Sequence, residues 1–509
     1  MSIELTKTDI GTAEVLYDNF AEQGIDCDIS LPDYCPDIMR ILRCSVTNSI
    51  TNSKISGDRA TVDGNAKIRI VYADDKNGIY CYEQDYPFSK FSELPQTYDG
   101  AVLCSSAKTE YANCRAVSKK RIDIHGVVSI RFKIVGIKNE SVITDAEGDG
   151  IQLRKKKIGT DNVAAVVMKK FQLSQTEEAD GGEIGKIFYA CASPVLSETK
   201  IIKGKILLKG EAVLKVMYCS ATGENESVCV NYNLPFSEII DIESIDDSCK
   251  VSVGFNVDQV QAEPKTDNDG EYKYLNLGCD ICAVVTAYKT EDICVITDSY
   301  STQKEIDAKY KTETFTQILQ NLNDSIICRE SVDLSSMNPQ RIYAAIAQSP
   351  EAKSRFDADK MTVTGKIPLK FILIDGEGTP TFCEREAEFE YSRSIDAKGG
   401  NLHCDPKLFL TGYSCTLTSD GRAEFKAEMN ISADITETSE CRTLVSLKTM
   451  ENSELKKRHS SLVICFCNGG EKIWDIARKY NTTVEDIMSE NELTSDEIGE
   501  KMMLMIPVK

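Results

Sequence analysis

Ala60-Thr-Val-Asp-Gly64-Asn-Ala-Lys-Ile-Arg-Ile-Val-Tyr72 decides the fold, because the chain writes it three times. The second copy is Ile206-Leu-Leu-Lys-Gly210-Glu-Ala-Val-Leu-Lys-Val-Met-Tyr218, and the third is Met361-Thr-Val-Thr-Gly365-Lys-Ile-Pro-Leu-Lys-Phe-Ile-Leu373. The glycines set a period of about 150 residues, the size of a domain. Apolar residues alternate around each one: Val62, Ala66, Ile68, Ile70, Tyr72; Leu208, Ala212, Leu214, Val216, Tyr218; Val363, Ile367, Leu369, Phe371, Leu373. The basic Arg69, Lys215 and Lys370 fall on the opposite parity. Period-two patterning of this kind predicts a half-buried strand with a core face and a solvent face. The glycine is expected to mark a bulge or bend, and Pro368 an edge or bulged strand.

Each copy then runs into a turn-rich tip: Asp74–Gly78, Ser220–Glu224 and Asp375–Gly378. A return strand leads to an aromatic, Phe88, Phe236 and Tyr391 in the three copies. A second alternating strand follows in each: Ile122, Ile124, Val128, Ile130, Phe132; Leu275, Leu277, Ile281, Ala283, Val285; Ala423, Phe425, Ala427, Met429, Ile431. Many short strands with turns predict a mainly β protein of three repeated β-sandwich or barrel-like domains. Asp37–Arg43, after Pro36, reads as a helical turn or two. Val163–Gln172 and Thr314–Leu322 read as strands or short connecting helices.

The last fifty residues are different. Ile473, Ile476, Ala477 and Tyr480 share one helical face, and Thr483 with Asp486 three residues on caps a second short helix whose Val484 and Ile487 face inward. Leu504, Ile506 and Pro507 read as a closing strand, giving a small α+β (βααβ) domain. The chain divides into β units over 1–157, 158–310 and 311–450, a charged linker at 451–460 containing Lys456-Lys-Arg-His459, and the terminal domain at 461–509.

Two resemblances cover nearly the whole chain. Residues 461–509 resemble the LysM family across both helices and the closing Ile-Pro. Leu31-Pro-Asp-Tyr-Cys-Pro-Asp-Ile-Met-Arg-Ile-Leu42, and Phe188-Tyr-Ala-Cys-Ala-Ser-Pro-Val-Leu196 followed by Lys200-Ile-Ile-Lys-Gly-Lys205, are similar to the SPOCS domain of clostridial spore-coat proteins. Three SPOCS-like units plus a LysM domain resemble the SipL-type family of spore morphogenetic proteins. That resemblance implies a cytoplasmic protein on the mother-cell side of the forespore surface. It also implies a LysM domain that docks a coat-basement morphogenetic ATPase instead of glycan. The groove positions it points to are Gly470, Glu471, Lys472, Ile473 and Trp474 in one loop and Ser495, Asp496, Glu497 and Ile498 in the other. The family's glycan loop reads Gly-Asp-Thr/Ser; here Glu471 keeps the carboxylate, Lys472 removes the hydroxyl, and Lys501 stands where a glycine usually precedes the last strand. Trp474 and Phe466 are candidate aromatic anchors beside the groove. A peptidoglycan binder, reading N-acetylglucosamine-containing glycan of cortex or wall, is the competing expectation.

Composition narrows the classes. A net charge of −21 argues against nucleic acid and anionic membrane as partners. No apolar run approaches the ~18 residues of a membrane span, and Met1–Ile10 lacks the basic and apolar regions of a signal peptide. Twenty scattered cysteines, with Cys191, Cys219, Cys282 and Cys294 in apolar runs, read as reduced thiols, not a disulfide framework. Cys279-Asp-Ile-Cys282 has neither a second pair nor a neighbouring histidine among His125, His403 and His459, so no zinc site is expected. Asp180–Lys186 misses a phosphate loop by its first glycine and its final hydroxyl. Asp145–Gly150 starts like a calcium loop but meets Lys156 at the twelfth position. His403 and Cys404 are sequence neighbours and point to opposite faces of a strand. No catalytic motif, metal or cofactor is expected, and the chain is read as non-enzymatic.

Overall fold

Alternation of apolar and polar residues becomes strand almost everywhere. The computed structural model describes residues 3–179, 183–220, 227–357, 360–395, 401–454 and 461–507, with backbone alone over 451–454. The hairpin tip after Ser220, residues 180–182 of the Asp180–Lys186 stretch and the Lys456–His459 linker lie outside the described residues.

The first unit contains β1 (Glu4–Ser30), β2 (Arg40–Ser56), β3 (Arg59–Ala73), β4 (Ile79–Glu93), β5 (Val102–Ala116) and β6 (Arg121–Glu147). The second contains β7 (Ile151–Glu178), β8 (Ile184–Ile201), β9 (Lys205–Ser220), β10 (Ser227–Asp241), β11 (Lys250–Thr266) and β12 (Tyr272–Ser301). The third contains β13 (Lys304–Asp333), β14 (Pro339–Ala347), β15 (Glu351–Asp357), β16 (Lys360–Asp375), β17 (Pro380–Ser394), β18 (Asn401–Cys404), β19 (Lys407–Leu417) and β20 (Arg422–Glu454).

Each unit is two antiparallel sheets facing across one core, which makes it a sandwich and not a barrel. In the first unit β1-β6-β5 faces β2-β3-β4; in the second β11-β12-β7 faces β10-β9-β8. In the third, β20 carries β13 on one side and β18 and β19 on the other, and faces a sheet in which β16 is flanked by β17 and by β14 and β15 in succession. The repeated alternating strands supply the cores: Ile68, Ile70, Ile124 and Phe132; Leu214, Val216, Leu275 and Val285; Leu369, Phe371, Phe425 and Ile431.

The three signature glycines sit at one environment. A Cβ would stand 2.3, 2.1 and 2.2 Å from the carbonyl oxygens of Ser49, Val195 and Glu351 at Gly64, Gly210 and Gly365. It would also meet the rings of Phe88, Phe236 and Phe389. The aromatic partner in the third unit is therefore Phe389, directly opposite Gly365, and not Tyr391. The expected bulge is present but lies on the neighbouring strand, between Ile50 and Asn52 and between Leu196 and Glu198. In the third unit that neighbour breaks altogether between β14 and β15, beside Pro368. Pro368 thus occupies a central strand and not an edge.

Other expectations change. Residues 37–39 form no helix, and β2 starts at Arg40. Val163–Gln172 and Thr314–Leu322 are strand, inside β7 and β13. The face opposite each core is not solvated throughout. Arg69 and Lys215 are buried, Arg69 against Glu83 and Lys215 with its Nζ 3.2 Å from the Tyr413 ring centroid. Two residues further on, Val71, Met217 and Ile372 meet in one cluster drawn from all three units, with Leu42, Phe188 and Tyr343.

A second three-way contact comes from strand length. The pairs β1/β6, β7/β12 and β13/β20 continue past their sandwiches as two-stranded ribbons. All three carry an extra residue at matching places, first Leu16, Ala164 and Leu319, then Thr144, Thr297 and Val445. Such bulges bend and twist a ribbon. The ribbons pack together through Ile10, Val142, Ile158, Val295, Phe315 and Cys441, and beyond these through Ile143, Ile296 and Leu444. Asp161 is buried at this junction, accepting Ile318 N–H and Thr290 Oγ1–H (2.6 Å), with Lys250 Nζ at 3.5 Å.

The terminal domain is β21 (Leu462–Cys467), α1 (Ile473–Tyr480), α2 (Val484–Glu490) and β22 (Met502–Pro507). Thr483 accepts Asp486 N–H at 3.0 Å, as its capping pattern requires.

Candidate functional site

The terminal domain is built around its buried stripe. Ile473, Ile476 and Ala477 from α1, Ile487 from α2, and Cys467, Leu504 and Ile506 from the strands make its core. Cys467 is pushed up to about 12 by burial and by the adjacent Cys465 thiol, whose sulfur is 3.7 Å away, so it stays a neutral thiol.

The two loops expected to form a groove do come together, and the backbone laces them. Gly470 N–H donates to Ile498 O (2.7 Å), Ile498 N–H to Glu471 O (3.0 Å), and Ile473 N–H to Asp496 O (2.9 Å). Lys472 and Glu497 form an isolated antiparallel bridge. Lys472, the N-cap of α1, makes no side-chain cap bond, so the Asp496 carbonyl takes over one of the donors a hydroxyl would have served. Glu471 folds back to accept Asn468 N–H and Nδ2–H. Gly470 has φ +86° with open space above it. Gly470, Lys472, Ser495, Asp496 and Glu497 present exposed surface, whereas Ile473 and Ile498 are core residues. The arrangement holds several backbone donors already paired and offers no nucleophile–base pair.

Trp474 does not line a groove. It is 6 % exposed and packs edge-on against Tyr300 of β12, ring centroids 4.9 Å apart at 71°. Its Nε1–H donates to Asp298 Oδ2 at 2.9 Å, and Arg478 Nη1 reaches both oxygens of the same carboxylate at 3.0 and 3.2 Å. Tyr300 donates its hydroxyl to Thr482 O at 2.8 Å in a buried bond, and burial raises its phenol far above the ordinary range. The sequence pattern pointed to neither Asp298 nor Tyr300, because the contact joins segments remote along the chain.

Phe466, the other expected anchor, is 74 % exposed. It belongs to an open apolar sheet face with Leu462, Ile464, Met503 and Met505, in which Ile464 pairs with Met505 and Phe466 with Met503. This face runs into the two laced loops at the Cys467 and Met502 ends of the strands. Its signal was legible: Leu462–Cys467 and Met502–Ile506 are apolar on both parities, although a two-stranded sheet can cover only one face with the domain's own helices.

Elsewhere the described residues hold no cluster of metal-binding side chains. All twenty cysteines are free; Cys282 is buried, while Cys294 is exposed, contrary to its apolar setting in sequence. Burial pushes Cys279 and Cys282 up to about 12. Among the described residues no helix is long and apolar enough to cross a membrane.

Comparison with known families gives two matches: SipL, SPOCS domain, over residues 37–117 and 183–265, and LysM domain over 470–507. The SPOCS matches fall in the first and second sandwiches; the third repeats their two-sheet build and bulge positions. No curated protein and no solved structure matches the chain. The chain has the domain make-up of a SipL-type protein ending in LysM, and the matched domains are binding and scaffold modules.

Proposed function

We propose that this SipL-type chain is a non-enzymatic scaffold of the spore coat that docks through its LysM domain to a coat-basement morphogenetic ATPase on the forespore surface, on the mother-cell side. The open apolar face of β21 and β22 carries this reading. Five large apolar side chains on one small sheet make a protein-docking patch, since exposed contiguous apolar surface marks interaction sites. The neighbouring exposed Gly470, Lys472, Ser495, Asp496 and Glu497, with the half-buried Glu471, would form its polar rim. Trp474, Ile473 and Ile498 support that rim from beneath.

The division into β units 1–157, 158–310 and 311–450, a joining stretch at 451–460 and LysM at 461–509 belongs to the same proposal. The turns between β6 and β7 and between β12 and β13 favour joints at 148–150 and 302–303 instead, since 157/158, 310/311 and 450/451 fall inside β7, β13 and β20. The second reading is a peptidoglycan binder, which the LysM match itself favours. Against it stands the pairing of Gly470, Ile473 and Ile498 N–H groups inside the protein.

The test uses the full chain, because Asp298 and Tyr300 of β12 pack against α1 and cover Trp474. Binding is measured in parallel to insoluble peptidoglycan and to the purified ATPase, for wild type, Ile464→Asp and Phe466→Asp. Retention by the ATPase, lost in both variants, is the expected result. Retention by peptidoglycan alone, unaffected by either variant, would overturn it.

A further inference from the structure

The three ribbon tips share a bulge but not the residues after it. Beyond Thr144 the first reads Asp145-Ala-Glu147, beyond Val445 the third reads Ser446-Leu-Lys448, and beyond Thr297 the second reads Asp298-Ser-Tyr300. Residues two apart on a strand share a face, and a bulge re-aims the side chains that follow it. Only the second tip therefore presents a carboxylate and an aromatic ring side by side. They meet the one tryptophan in the chain and an arginine one helical turn further along α1.

We propose that Asp298 and Tyr300 form an intramolecular receptor for LysM helix α1, a latch that covers Trp474 and ties down Arg478. Its chemistry is that of an interface anchor. Asp298 accepts from the indole and the guanidinium together, Tyr300 covers the indole edge-on, and its hydroxyl satisfies the Thr482 carbonyl. Arg478 is half exposed and Asp298 is nearly covered, so the ion pair seals the rim of the contact. A partner that reads α1 must displace this tip, whereas the outer face of β21 and β22 stays accessible with the latch closed. The latch does not depend on which partner the LysM domain takes.

Because Trp474 is the only tryptophan, its fluorescence reports the latch in the full-length chain. Acrylamide quenching is compared among wild type, Asp298→Ala and Tyr300→Ala, and hydrogen exchange of the α1 amides is followed on the same samples. Both substitutions lie outside the LysM domain. The expected result is a shielded indole in the wild type and a severalfold rise in quenching in each variant, with α1 amides still protected. A wild-type indole as open to quencher as free tryptophan, or unchanged quenching in Asp298→Ala, overturns the proposal. Loss of α1 protection together with the indole's shielding also overturns it, since the contact would then be part of LysM folding and not a latch.

Discussion

Replacing Gly210 by alanine adds one methyl group where the second sandwich has no room for it. The new carbon would lie 2.1 Å from Val195 O in β8 and 2.6 Å from Phe236 Cζ. A comfortable carbon–oxygen separation is about 3.3 Å, so β8 must retreat by roughly an ångström. Phe236 cannot yield freely, because it packs against Phe171 and Phe255 at 5.3 and 5.7 Å between ring centroids. Overpacking of this kind costs about 1–3 kcal/mol, and loosening the local β8–β9 ladder adds about 1 kcal/mol per hydrogen bond lost. Alanine recovers about 0.4–1 kcal/mol by restricting the unfolded chain. The net expectation is a loss of about 2–4 kcal/mol, read as a lowered urea midpoint by strand circular dichroism. Gly24→Ala is the control: its nearest atom is Asp26 Oδ2 at 3.6 Å, and its stability should be unchanged or slightly raised. A Gly210→Ala protein as stable as wild type would refute the close-approach account of all three signature glycines.

Met217 faces away from the core of its own unit but is 2 % exposed in the three-way cluster. Met217→Ala should therefore destabilise by about 2–4 kcal/mol in thermal or urea unfolding, like a core truncation; a surface-like change below about 0.5 kcal/mol would mean the units do not pack this way. Asp161→Ala should cost about 1–3 kcal/mol by the same assay, because it leaves the buried Ile318 N–H and the Thr290 hydroxyl at the ribbon junction without their acceptor, while Lys250 keeps the Ile318 carbonyl. Asp324 is held below its usual value of 3.8 by the Tyr391 hydroxyl (2.7 Å), then by Ser325 N–H and Arg393. A lowered carboxyl contributes stability that is complete above pH 3.8 and fades as the pH falls through its folded value. Tyr391→Phe should consequently lower stability at neutral pH, where that contribution is complete, by a deficit that narrows as the pH falls through the folded value of Asp324; a deficit that stays the same at every pH would remove Tyr391 from that role.

Much of this protein was written in period-two alternation and in one repeated glycine. Val62 to Tyr72, Leu208 to Tyr218 and Val363 to Leu373 announced the central strands, and Ile473 to Tyr480 announced a LysM helix, because each pattern is set by neighbours on the same element. The sequence by itself thus determined mainly β units, their repetition and the small α+β end. Tertiary structure alone decided what covers the second face of those strands. Met217 and Lys215 share the parity of a solvent face, yet other units bury them. Nor does local pattern say that the long strands outrun their sandwiches and join as ribbons, or that Trp474 meets Asp298 and Tyr300. Those contacts join parts of the chain far apart in sequence, where each side chain is half of a match whose other half no local periodicity encodes.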